Sequence, residues 1–376
     1  MVQKKIFYKL SFFIVIVLSF LSSYLVKNFQ LLLISICLLT LFGFFFNKLN
    51  KNILLVFFSL LISITIVEFT LFLKNEKKIV IIKNDKNINK HVKNKKTYLG
   101  YQPVTGKQHH KIYLDNTSVI DSYYTINKNN YRFTPSINDL NKKKKFNFFG
   151  GSQTFGWGLS DDETLPYLTQ FYFKEWDVNN YAISGYGVHH MLAQIKEEPR
   201  VIGDMNILVT FSAHIPRSSC KRDFTFGTPK YVLNDKREIL RAGYCNFGFM
   251  NKLPLPSIVG SVLNRSEIKI LLDKIYFRKS LFSEKDIELY LAIIKEINQT
   301  LFNQGKIFYV GYTSNENEVD KYILNKFKQN KIKTIDLSLD ESNQKYKILN
   351  DGHPTKLANT ERSLAIWKNI KKNLNN

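Results

Sequence analysis

The stretch Lys145-Phe-Asn-Phe-Phe-Gly-Gly-Ser-Gln-Thr-Phe-Gly156 decides the fold. Its first five residues, three of them Phe, have the length and aromatic content of a strand. The run stops at Gly150 and Gly151, which allow a sharp turn, and a serine follows at the head of a helical pattern. A strand that runs through a glycine turn into a helix is the opening unit of an alternating α/β domain. The same alternation continues downstream. Trp176–Ile183 holds a second strand, Met205–Phe211 a third, Lys306–Tyr312 a fourth, and Ile332–Ser338 a fifth. Helical patterns cover Thr164–Lys174, His189–Glu197, Glu284–Phe302, Glu316–Asn330 and Thr355–Lys372. Strands alternating with helices predict a doubly wound parallel sheet. The stretch 212–283 interrupts the alternation and reads as an insertion.

Upstream of this domain the chain changes character. Leu10 to Val26, Phe29 to Phe46 and Ile53 to Leu73 are apolar runs of 17 to 21 residues bracketed by lysines. Each matches the length of a helix that crosses a hydrocarbon core of roughly 30 Å. Residues 1–74 are therefore expected to be a membrane anchor of three transmembrane helices, 75–97 a Lys/Asn-rich linker, and 98–140 a small β-rich lead-in packed on the main domain at 141–376. Glu68 lies within the third run, and snorkelling toward the interface near Lys74 accounts for it. Lys4, Lys5 and Lys9 precede the first span, which favours an inside N-terminus and an extracytoplasmic domain. The lysines following Lys74 oppose that orientation.

Lysine and arginine (54) exceed aspartate and glutamate (31), for a formal charge of +23. The lysines are scattered rather than gathered in a stripe, so nucleic acid is not an expected partner. The apolar runs upstream make the lipid bilayer the expected partner. Cys37 falls inside an apolar run. Cys220 and Cys245 lie in the insertion, where a disulfide and two free thiols are both consistent with the sequence. The pairs His109–His110 and His189–His190 lack ligand spacing, and no metal or other cofactor is expected.

Two short motifs carry chemistry. Ser152 stands at the end of the first strand, where ligands bind in an open parallel sheet. Asp-Gly-His-Pro at 351–354 precedes the last helix and supplies a base, His353, with an acceptor, Asp351, two residues before it. Taken singly, each fits a helix cap as well as a catalytic residue. Together they frame the whole alternating region.

This order and spacing resembles the SGNH (GDSL-like) hydrolases. "GGSQTFG" is similar to the family's first block, normally Gly-Asp-Ser, and "DGHP" to its last. The resemblance implies a flavodoxin-like three-layer fold and serine-ester chemistry, with Ser152, Asp351 and His353 catalytic. It also places Gly185 of "ISGYG" at the family's oxyanion-hole glycine, beside the amide of Ser152. Two departures stand out. Gly151 replaces the family's aspartate, and His214 of "FSAHIPR" falls near the family's third-block asparagine. His214 is consistent with an oxyanion donor and equally with a structural or substrate-binding role. Arg217, Trp157 and Tyr186 are candidate substrate-binding residues. The implied activity is that of an esterase acting on an acyl ester, such as an O-acetyl group, of an envelope glycan or lipid. A carbohydrate O-acyltransferase using the same site, or a non-catalytic binding module, is the alternative.

Overall fold

The structure is a computed structural model that describes residues 51–74, 80–81, 97–114, 117–137, 144–222, 225–245, 282–340, 342–349 and 351–374. The first two predicted spans and Cys37 lie outside these residues. The chain divides into two compact units, residues 1–78 with 248–280, and 79–247 with 281–376.

In the first unit the described element is the helix α1 (Lys51–Lys74), 24 residues long and so about 36 Å at 1.5 Å per residue. Val56, Leu60, Ile66 and Val67 are exposed along it, and Glu68 is fully buried rather than extended toward an interface. Among the described residues no helix is long and apolar enough to cross a membrane.

The second unit opens with a three-stranded antiparallel sheet, β1 (Val80–Ile81), β2 (Gly106–Leu114) and β3 (Thr117–Ile126). Part of the predicted linker is thus a strand: Val80 and Ile81 pair with Leu114 and Tyr113. A five-stranded sheet follows, built from β4 (Lys144–Gly150), β5 (Trp176–Asn180), β6 (Met205–Thr210), β9 (Ile307–Tyr312) and β10 (Thr334–Asp336). Its spatial order is β10-β9-β6-β4-β5, and every pairing is parallel. Read from the β5 edge, the order by chain position is 2-1-3-4-5, the flavodoxin-like arrangement. Its switch point, where ligands bind, lies between β4 and β6.

Helices cover both faces, which is why the strands are runs of apolar residues rather than alternating ones. All six residues of β6 are buried. On one face Phe149, Leu208 and Val310 pack with Met191 and Leu192 of α4 (Val188–Glu197), Ile293 and Ile297 of α6 (Glu284–Asn303), and Phe327 of α7 (Glu318–Gln329). On the other, Phe146, Phe148, Ile207 and Val209 pack with Leu165 of α3 (Leu165–Thr169) and Ile366 and Ile370 of α8 (Lys356–Leu374). Burying each such side chain stabilises by about 1.5–3 kcal/mol. Ser283 and Asn317 cap α6 and α7 by accepting from Asp286 N and Asp320 N. The predicted helix 164–174 is shorter than expected. Thr169 Oγ1 donates to Leu165 O, and the chain continues in tighter i→i+3 turns toward β5.

Arg132 ties the lead-in to the main sheet. It bridges Ile126 and Asn180 and is buried, with Nε donating to Asp161 Oδ1 at 2.9 Å and Nη2 to Leu159 O at 2.7 Å. Burial lowers its guanidinium to about 10, still charged at neutral pH, with Asp161 opposing the shift. In the insertion, α5 (Ile215–Ser218) precedes the hairpin of β7 (Pro229–Leu233) and β8 (Ile239–Tyr244), and a Cys220–Cys245 disulfide closes this segment.

Candidate active site

Strand β4 ends on glycines because side chains have no room there. A Cβ on Gly150, at φ +152°, would sit 2.5 Å from Thr154 Oγ1 and 2.8 Å from Val209 O. A Cβ on Gly151 would meet Arg217 Nη1 at 2.8 Å, Tyr186 O at 2.9 Å and His214 Nε2 at 3.0 Å. Position 151, which resembles the aspartate position of the Gly-Asp-Ser block, therefore cannot hold one here: two nitrogen groups and a carbonyl already fill the space. Ser152 follows as the first residue of the short helix α2 (Ser152–Phe155), where an amide has no intrahelical acceptor.

Ser152 is 9% exposed, and its Oγ lies 2.8 Å from His353 Nε2. On the other side of the ring, His353 Nδ1 bonds to Asp351 Oδ1. The 348–353 loop is a tight turn of its own. Ile348 N donates to His353 O at 2.7 Å, while Asp351 N and Gly352 N both donate to Ile348 O. Gly352 supplies the turn's positive φ of 84°. Capping of α8 falls to Thr355, whose Oγ1 accepts from Ala358 N. Asp351 is therefore not a helix cap. Its Oδ1 also accepts from His353 N at 3.2 Å, and its Oδ2 from Trp157 Nε1 at 3.3 Å. Partial burial pushes the Asp351 carboxyl up, but the bonds and charge of His353, then Trp157, outweigh it and hold the group below the usual carboxylate range. The arrangement can take a proton from the Ser152 hydroxyl onto Nε2 while Nδ1–H stays on the carboxylate.

His214 ends the 3₁₀ turn Ser212–His214 after β6. Its Nδ1 is 3.0 Å from Thr210 Oγ1, which is 2.9 Å from Tyr290 OH. Its buried Nε2 has no hydrogen-bond partner among the described residues and faces the α-carbon of Gly151. Burial, then the charge of Arg217, holds this imidazole neutral, well below its ordinary pKa. If Thr210 donates to Nδ1, the proton sits on Nε2, which then is a donor beside Gly151, the residue before Ser152.

Gly185, at φ +88°, is the third residue of a turn closed by Tyr186 N donating to Ile183 O at 3.0 Å. The turn lies against the serine loop, because Ile183 N donates to Gly150 O. One of the three residues expected to bind substrate is placed otherwise. Tyr186 is fully buried, with its ring stacked on His190 and its hydroxyl on Tyr101 O. Arg217 spends Nη1 on Tyr186 O at 2.7 Å, and burial lowers its guanidinium to about 10. Trp157 does line the site: its ring lies between those of His110, at 4.4 Å, and His353, at 6.0 Å. The partners Tyr101, Thr210, Tyr290 and the Trp157–Asp351 bond were not foreseen from the sequence. They join positions 80 to 194 residues apart, except for Thr210, one helical turn before His214. His189 and His190 are buried in the first turn of α4.

No protein-family model matches the chain, and no curated protein matches it. Among solved structures, the chain is similar to a protein assigned to the lipolytic G-D-S-L family from Desulfitobacterium hafniense (9% identity, TM-score 0.37, covering 60% of this chain and 99% of that one). It is also similar to the psychrotrophic esterase EstA from Pseudoalteromonas sp. (14% identity, TM-score 0.34, 62% and 100%). A third is a GDSL-like lipase from Bacteroides thetaiotaomicron (13% identity, TM-score 0.32, 63% and 90%). At these identities and scores none of them decides a residue's role.

Proposed function

We propose that this chain is a serine esterase of the SGNH type that cleaves an acyl ester, with Ser152 as nucleophile, His353 as general base and acid, and Asp351 as the group that orients the imidazole. The observation that carries the reading is the continuous Ser152 Oγ–His353 Nε2, His353 Nδ1–Asp351 Oδ1 relay at a parallel sheet's switch point. In the reaction, Ser152 Oγ attacks the ester carbonyl as its proton passes to His353 Nε2. The carbonyl oxygen becomes an oxyanion, which the amides of Ser152 and Gly185 and the Nε2–H of His214 stabilise. Collapse expels the alcohol, which takes the proton from His353. Water then attacks the acyl-serine by the same route, releasing the acid and restoring Ser152.

The reading extends to an envelope glycan or lipid as substrate, presented at a membrane by three N-terminal spans, with the domain outside the cytoplasm. The apolar sequence of α1 and its exposed aliphatic side chains favour the anchor. The Cys220–Cys245 bond favours an oxidising compartment. Treating intact cells with an impermeant protease tests the placement: a domain protected until the membrane is opened would reverse the orientation.

The test of the chemistry is labelling of the full-length protein with a fluorophosphonate, a reagent that reacts with an activated serine. The protein is expected to label at Ser152, and Ser152→Ala is expected not to. Labelling that persists in Ser152→Ala would remove the assignment.

A further inference from the structure

The turn that carries Gly185 is held from outside the sheet domain. Residues 183–186 form a four-residue turn with positive φ only at Gly185, since Ser184 is not among the described non-glycine residues at positive φ. That pattern is a type II turn. In such a turn the central peptide, here Ser184–Gly185, stands across the plane of the turn. A half-rotation of that one peptide converts it to type I, and a glycine at the third position accepts both forms. Because the peptide is trans, its C=O and N–H point in opposite directions. Whatever holds the carbonyl of Ser184 therefore sets where the amide of Gly185 points. Tyr101 OH donates to Ser184 O at 2.8 Å. Tyr101 belongs to the lead-in, 83 residues upstream.

The hold is reciprocal. Tyr186 OH donates back to Tyr101 O at 2.5 Å, the two rings meet edge-to-face at 5.4 Å, and Arg217 Nη1 donates to Tyr186 O. Tyr101 and Arg217 thus grip the turn on either side of Gly185.

We infer that Tyr101 is a positioning residue: its hydroxyl locks the Ser184–Gly185 peptide in the orientation that presents the Gly185 amide to the oxyanion. The inference rests on the reading of Gly185 as an oxyanion donor, and it assigns the lead-in a part in activity rather than only in packing. Tyr101→Phe removes one hydroxyl and keeps the ring. One hydrogen bond of this kind shifts an equilibrium roughly five- to tenfold, within the about hundredfold ceiling set by losing a donor outright.

The experiment uses the full-length chain and a short acyl ester. Tyr101→Phe is expected to lower kcat roughly five- to tenfold with KM within about twofold and to lower the melting temperature by only about 2–4 °C. Tyr98→Phe removes a hydroxyl of the same segment that bonds Glu198 at 2.7 Å, and is expected to leave kcat at the wild-type value. An unchanged kcat in Tyr101→Phe would overturn the inference. So would an equal fall in Tyr98→Phe, which would mean general loosening of the lead-in. A readout independent of activity is available because Ser184–Gly185 is the sole Ser-Gly dipeptide of the sequence. Carbonyl-¹³C serine with ¹⁵N glycine therefore marks this one amide by NMR. Its signal is expected to be single in the wild type and broadened or doubled in Tyr101→Phe. An unchanged signal would overturn the lock. A doubled signal in a chain that has no esterase activity even as wild type would keep the lock and remove the esterase reading instead.

Discussion

The two halves of the site are held in opposite ways. Ser152, Gly185 and His214 stand at the carboxyl ends of buried strands or the turns after them, among groups packed so closely that Gly150 and Gly151 tolerate no side chain. Asp351 and His353 ride on a turn before α8, and each side chain is a fifth to a quarter exposed. In the proposed reaction the buried half would supply fixed dipoles, which act on a developing charge without reorganising. The half-exposed half would accept and return a proton in that reaction, and its carboxylate is kept ionised by bonds from His353 and Trp157 against the effect of burial. The residues proposed as rigid donors and as proton carrier are thus drawn from different environments of one fold.

Several measurements would break or sharpen that contrast. The largest effect is expected where the halves meet. Ser152→Ala and His353→Ala should each lower turnover of a short acyl ester by at least about 10⁴-fold, since nucleophile and base act as a unit. Melting curves should show both variants folded. Near-normal turnover in either would remove the relay.

Within the buried half, His214→Ala should cost on the order of a hundredfold in kcat, whereas His214→Asn, which keeps a donor, should retain most of it. Equal and small effects in both would make His214 structural.

The buried half should also show itself in stability against pH. His189, His190 and His214 are all held neutral by burial first, with nearby charge adding to it, and His189 is lowered to about 3. Their folded pKa values lie below the unfolded one, so at low pH the unfolded chain binds more protons. Stability is complete above about pH 6.5 and falls as pH drops toward about 3, by up to roughly 1.4 kcal/mol per pH unit per histidine. Urea unfolding at pH 7.5, 6 and 5 measures it, and a flat profile would contradict the buried, neutral assignment.

The smallest effect belongs to the exposed half. Trp157→Phe loses the 3.3 Å bond to Asp351 Oδ2 but keeps a ring against His353, and should lower kcat only about two- to fivefold. A hundredfold loss would make Trp157 part of the relay rather than a support for it.

Much of this could be read along the chain, because it depends on local pattern. The strand at 145–149 appears as Lys144–Gly150 and the helix at 284–302 as Glu284–Asn303. Apolar runs and periodic faces are dictated by burial on both sides of the sheet. The order of the glycine-flanked Ser152 and the Asp351–His353 pair was equally plain, since each motif is contiguous. Tertiary structure alone decided the rest. Nothing near Gly151 in sequence says that Arg217 and His214 occupy its Cβ position. Tyr186 looked like a pocket aromatic until its ring proved buried against His190. Asp351 could have been a cap until Thr355 took that role, and Tyr101 had no motif at all. These assignments rest on hydrogen bonds and contacts that, Thr355 and the Tyr186–His190 stack apart, close long loops of chain, and sequence periodicity carries no record of which distant atoms will meet.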